Sequence, residues 1–250
     1  MKHLLYKKLP LWALICTMLS CTKQSAPPSN ASLTLINAIP GSSPSLVPNF
    51  SGPGSLTWFN NALKLVYGTW SSTYTTGNYS GEQSLAIYHF PDTTAHSTPL
   101  MNMTLNLPAG TIHTLFLTGT MSAPDTLFTT DTPPYHPPSD SSMGIRFVNL
   151  SPGRAPISVN ITGNAYGSEV SSLAYKGITG FKNYPATAAI SSYSFELRDA
   201  ATGTLITSIP VTGINSAANN QRRYRNLTLA LMGLPGDPTT LKTTLISAYF

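Results

Sequence analysis

Two stretches of this chain, beginning at residues 33 and 145, carry one pattern: LTLINAIPGSSP at 33–44 and IRFVNLSPGRAP at 145–156. Asn, Pro, Gly and Pro coincide, and the apolar positions match in kind. Three more pairs follow in the same order. LVYGTWSSTY at 65–74 answers LAYKGITGF at 173–181, LAI at 85–87 answers FEL at 195–197, and HTLFLTG at 113–119 answers LTLALMG at 227–233. Four matched blocks in one order point to an internal duplication, which constrains the fold more than any single block does. Within the blocks, apolar and polar residues alternate with period 2, the signature of a half-buried antiparallel strand. The pairs Pro40-Gly41 and Pro152-Gly153 punctuate the end of the first strand of each copy.

Composition supports strands over the alternatives. Only 14 basic and 9 acidic residues occur in 250, yet 41% of the chain is hydrophobic and 10% aromatic, so it buries a core and is not disordered. A coiled coil needs abundant Ala, Glu, Lys and Leu and is excluded. Thr, Tyr, Val and Ile broken by Pro, Gly, Asn and Ser describe short strands and turns, and no helix is expected after residue 21. The expected class is all-β, with two tandem immunoglobulin-like β-sandwich domains at 33–130 and 143–250. Between them, the proline-rich linker DTPPYHPPSDSS at 131–142 reads as an extended, semi-rigid spacer.

The first 20 residues read as a secretory signal peptide, with Lys2, Lys7 and Lys8 ahead of the apolar run from Leu11 to Leu19. The segment Met18-Leu19-Ser20-Cys21 resembles a bacterial lipobox. That resemblance implies that Cys21 is lipidated and becomes the anchor, with several acyl chains where one is marginal. Cys16, the other cysteine, lies in the part removed, so no disulfide, zinc site or thiol nucleophile is expected. By lipoprotein sorting rules, Thr22 after the cysteine implies the outer membrane, the periplasmic or surface face being undecided. Residues 21–32 form the lipidated, flexible tether.

The Val/Ile-Asn strand followed by Pro-Gly, the Tyr67-Gly68-Thr69 block and LPAGTIHTLFLTG at 107–119 resemble the bacterial domain-of-unknown-function family numbered 4397. The resemblance extends over the whole chain after the leader and implies a secreted or lipidated Gram-negative protein. That family has no established catalytic residues, so none carry over.

Reactive constellations are sparse. No HExxH, EF-hand loop, GxSxG elbow, Walker loop or dinucleotide fingerprint appears. His89 and His113 fall in expected strands and His136 between prolines, and no Ser-His-acid set stands out. No catalytic residue, metal or cofactor is expected. Glu82, Asp92, Glu169, Glu196 and Asp199 are the carboxylates a glycosidase would draw on.

Candidate ligand contacts are therefore aromatic and basic. Trp58, beside Gly52-Pro53-Gly54, has no aromatic counterpart in the second copy and reads either as an exposed contact or as a loop anchor. Trp70 aligns with Ile178, so core packing competes with ligand contact there. Arg222, Arg223, Tyr224 and Arg225 sit in an insertion of the second copy, suited to gripping phosphate or carboxylate or to forming a solvated turn.

Charge is split between the copies. Residues 33–142 hold one Lys against five acids, and 143–250 hold nine bases against four acids. A three-arginine run is small for nucleic acid, and export from the cytoplasm argues against that partner. The expectation is a non-enzymatic envelope lipoprotein that meets the membrane through Cys21 and binds a glycan or another envelope protein. A carbohydrate-binding accessory protein is the alternative, and a carbohydrate-active enzyme comes third.

Overall fold

A computed structural model describes residues 30–54, 62–92, 96–215 and 221–248. The leader, Cys21, the tether up to residue 29, Trp58 and the last two residues lie outside them. The described chain is all-β, apart from one 3-10 turn at Ser72–Tyr74.

The described residues form four sheets. In the first half, β1 (Asn30–Asn37), β3 (Thr75–Tyr79), β6 (Ile112–Gly119) and β7 (Pro124–Thr130) form an inner sheet ordered β3-β1-β6-β7. The outer sheet comprises β2 (Leu46–Asn49), β4 (Gly81–His89) and β5 (Met101–Leu107), in that order. In the second half the inner sheet is β11 (Lys182–Pro185), β8 (Ser142–Leu150), β14 (Asn226–Met232) and β15 (Lys242–Ala248), so ordered. Its outer sheet runs β10 (Val170–Leu173), β9 (Ile157–Ile161), β12 (Ser192–Asp199) and β13 (Leu205–Thr212).

Blocks that match in sequence occupy matching rungs. Leu33 faces His113 across the parallel β1–β6 ladder, and Ile145 faces Leu227 across the parallel β8–β14 ladder. The shared asparagine has one job in both places. Asn37 donates its amide to the Leu65 carbonyl and accepts from the Ile39 N–H, at 2.9 and 3.0 Å. Asn149 donates to the Leu173 carbonyl and accepts from the Ser151 N–H, both at 3.1 Å. Their own carbonyls accept from the N–H groups of Gly68 and Lys176, which share left-handed φ values of 65° and 63°. These side chains satisfy buried backbone groups that strand geometry strands there.

Each half has its own sandwich core. Leu33, Leu35, Leu115 and Leu117 of the first inner sheet pack on Leu46, Leu85, Ile87 and Leu107 of its outer sheet. Phe147, Leu227 and Leu229 likewise pack on Val159, Phe195, Leu197 and Val211. A third cluster joins the backs of the two inner sheets: Ile36, Ala38 and Phe116 against Val148, Leu150, Ala230, Met232 and Ile246. The sandwiches are thereby stacked into four layers, outer, inner, inner, outer.

This stacking corrects two expectations. The strands β1, β6, β8 and β14 keep an antiparallel neighbour on one side, β3, β7, β11 and β15 in turn, but pair in parallel on the other, β1 with β6 and β8 with β14, and β8 and β14 are buried throughout rather than half-buried. Buried parallel pairs lose the polar-out alternation because each face meets another sheet. Nor is 131–142 a spacer. Asp131, His136 and Ser142 are buried, because their polar groups are paired inside the stack.

Candidate functional site

The linker is pinned at two places. At its start, Asp131 and Arg146 form a buried ion pair with N···O of 2.7 Å across the halves. Thr114 and Thr129 also donate to Asp131, and Arg146 Nε donates to Thr228 Oγ1 at 2.7 Å. The guanidinium lies over the Phe181 ring at 4.7 Å. A charge so buried is tolerable only when its partner and hydrogen bonds are all in place.

Further along, His136 is held at both ring nitrogens. Nε2 is 3.0 Å from Asn226 Oδ1, and Nδ1 is 3.0 Å from Ser142 Oγ and 3.4 Å from Asp140 Oδ2. Ser142 donates to Asp140 at 2.7 Å, and Asn226 donates its amide to the Pro134 carbonyl at 2.9 Å. Sequence reading missed this set, since Asn226 is far along the chain from His136. Ser142 is buried and its hydroxyl faces Asp140, so the set acts as a clasp that fixes the linker on β14. The packing is tight: a Cβ on Gly144 would stand 2.0 Å from Asn226 Oδ1.

The clasp brings the linker against the arginine turn that precedes β14. Tyr224 has a left-handed φ of 64°, rare for an aromatic residue. Three bonds hold the turn there: Tyr224 N–H to the Ser142 carbonyl, its hydroxyl to the Pro138 carbonyl, both at 2.8 Å, and Gly144 N–H to the Arg225 carbonyl at 2.9 Å. Arg222 and Arg223 each spend Nε on a carbonyl, those of Thr212 and Ala186, at 3.0 Å. Between turn and linker lies a groove of about 550 Å³, lined by Pro133, Pro134, Tyr135, His136, Pro138, Arg223, Tyr224, Arg225 and Asn226. Tyr135 stands 83% exposed at its rim. The structure thus gathers Arg223, Tyr224 and Arg225 into one concave site with a linker that sequence reading treated as a spacer. A tyrosine placed between runs of prolines was the available signal.

Trp70 lies elsewhere, half-buried against the cluster between the inner sheets, and its counterpart Ile178 packs against the same cluster. Trp58 and Cys21 lie outside the described residues. Tyr67 and Tyr175, matched in sequence, each reach into the opposite half: Tyr67 donates to the Thr240 carbonyl at 2.5 Å and Tyr175 to Thr118 Oγ1 at 3.3 Å. Burial, reinforced by Asp237, pushes the Tyr67 hydroxyl up to about 12, keeping it a donor. Among the carboxylates, burial works to raise Glu169, but hydrogen bonds from Lys182 and Tyr184 outweigh it and hold the group below its ordinary value. Glu169 is thereby committed to the Lys182–Tyr184 network of the second half. Among the described residues, no group of three or more His, Cys, Asp or Glu side chains is placed to hold a metal ion.

A search of curated proteins found no match. Among solved structures, a family CBM26 carbohydrate-binding module, CBMbc from Eubacterium rectale Amy13K in complex with maltoheptaose, aligns with this chain at 13% identity. The alignment covers 88% of this chain and 98% of that one, but with a TM-score of 0.27 it bears on neither fold nor ligand. The family model for a domain of unknown function, DUF4397, matches residues 31–160, from β1 across the linker to β9. That match spans more than half of the 250 residues, and the chain belongs to the DUF4397 family.

Proposed function

We propose that this protein is a non-enzymatic lipoprotein of the outer membrane, anchored through Cys21, whose four-layered body presents the groove between linker and arginine turn to a glycan or to another envelope protein. The groove carries the reading. It is concave, within the size range of ligand sites, and combines an exposed tyrosine with arginines whose backbone is tightly fixed. The two halves of the body that displays it are joined by the buried Asp131–Arg146 pair. The lipobox-like Met18-Leu19-Ser20-Cys21 supports the anchor.

The anchor is tested by labelling cells with radioactive palmitate and fractionating wild type against Cys21→Ala. Label and membrane fraction both vanish in the variant under this reading, and an unlabelled, soluble wild type rejects it. For the display role, wild type and Tyr135→Ala are compared on a glycan array and in cross-linking to envelope proteins. A ligand kept by wild type and lost by the variant supports the groove, whereas identical profiles remove it from the reading.

A further inference from the structure

On β9 the side chains of Ile157 and Val159 enter the core of the second half, so Ser158 between them points to the opposite face of the outer sheet. Alternation would leave that face open to solvent, yet Ser158 is only 5% exposed. The segment around Gly167 and the turn at 200–203 enclose it, leaving a hollow of about 330 Å³, at the small end of the range for ligand sites. Gly167, Ala200, Ala201 and Gly203 add little bulk to its walls. Ser158 lines the hollow, and its hydroxyl makes no hydrogen bond among the described residues. A hydroxyl so nearly buried and so unpaired has a donor and two acceptor sites left for a ligand.

Tyr166 also lines the hollow and is 67% exposed. The Arg198 guanidinium covers one face of its ring, 4.1 Å from the centroid, so the open surface is the other face. Arg198 is itself fixed: it donates to Glu196 Oε2 at 2.8 and 3.2 Å and to the Gly203 carbonyl at 2.9 Å. Asp199 holds the turn by accepting from the N–H groups of Ala201 and Thr202 at 3.0 and 2.8 Å. Gly203 has a left-handed φ of 71°, and a Cβ there would stand 3.3 Å from the Tyr166 ring. A site built this way is formed before a ligand arrives, which lowers the ordering cost of binding. No charged side chain lines it. Arg198 and Glu196 neutralise each other, and Asp199 is spent on the turn.

We propose that this hollow takes a single neutral sugar ring, its flat C–H face lying on Tyr166 while one of its hydroxyls pairs with Ser158. An anion meets no unmatched cation there, and a wholly apolar ligand would bury the Ser158 hydroxyl without a partner. The hollow shares no residue with the groove between linker and arginine turn, and the proposal is independent of that reading.

The test is saturation-transfer NMR on the full-length protein in micelles of a sugar-free amine-oxide detergent. The probes are the methyl glycosides of glucose, galactose, mannose and N-acetylglucosamine, with glucuronate and galacturonate as charged counterparts. Transfer to the ring C–H protons of at least one neutral glycoside is expected, and less to either uronate. Tyr166→Ala should weaken binding about tenfold, Tyr166→Phe should restore most of it, and Ser158→Ala should weaken it about fivefold. Far-ultraviolet circular dichroism confirms that each variant folds. Uronates bound as well as the neutral glycosides overturn the neutral class. Binding lost in Tyr135→Ala but kept in Tyr166→Ala puts the sugar in the groove and overturns this site. Binding that neither Tyr166→Ala nor Ser158→Ala alters, or no transfer to any neutral glycoside, overturns the proposal outright.

Discussion

The inner and outer sheets are built from similar residues and use them differently. On the outer strand β5, Asn102, Thr104 and Asn106 are exposed and alternate with the half-buried Met101 and Met103 and the buried Leu105 and Leu107, as alternation predicts. On the inner strands, Thr114, Thr118, Arg146 and Thr228 stand at comparable polar positions, yet all are buried. The difference lies in partners. Thr118 donates to the Leu150 carbonyl across the halves at 3.1 Å, and Arg146 bonds to both Asp131 and Thr228. A polar residue marks a solvent face only when no second sheet supplies its hydrogen bonds.

If the inner sheets form one continuous body, Phe116→Ala should have the largest effect, because Phe116 lies in the cluster between the halves. A loss of about 3–5 kcal/mol is expected, with both halves still melting in one calorimetric transition at a lower temperature. Two transitions, with only the first half displaced, would separate the halves and break the comparison. Next comes the buried ion pair. Asp131→Asn or Arg146→Met alone should cost about 3 kcal/mol by leaving an unmatched charge inside, and the double variant should recover much of that in urea titrations. Additive losses would show that the two residues act independently.

The repeated asparagines offer a finer comparison. Asn37→Ala and Asn149→Ala each remove an amide donor and an acceptor from buried backbone groups. Each should cost about 2 kcal/mol, and chemical denaturation should return similar values in both halves. A large inequality would mean that the two positions share a sequence pattern without sharing a load.

The smallest effect concerns the exposed link between Asp125 and Lys176, 2.9 Å apart. Slight burial works to raise the Asp125 carboxyl, but the hydrogen bond and charge of Lys176 hold it below its ordinary value. A carboxyl lowered in the folded state stabilises fully above its unfolded value near about 3.9 and loses that contribution as pH falls through the folded one. Solvent screens this half-exposed pair, so no more than about 0.5 kcal/mol is at stake. Acid denaturation of Asp125→Asn should begin at nearly the wild-type pH, and stability above pH 5 should fall slightly.

Much of the fold was legible because strand residues are local. Period-2 runs marked Leu85 and Ile87 in β4 and Phe195 and Leu197 in β12, and all four are core residues. Repetition placed Asn37 and Asn149 at one structural position. The candidate site was legible in part. Arg223, Tyr224 and Arg225 stood out as a cluster, but their partner, the linker around Tyr135, carries no pattern that forecasts where it docks.

The sequence by itself determined the all-β class and the position of the repeated strand blocks, since alternation and turn residues act over a few residues. Only the tertiary structure decided that the backs of the inner sheets face each other, that His136 ties the linker to Asn226, and that a groove opens beside it. Those outcomes depend on hydrogen bonds between residues far apart in the chain, whose geometry exists only once the sheets have stacked.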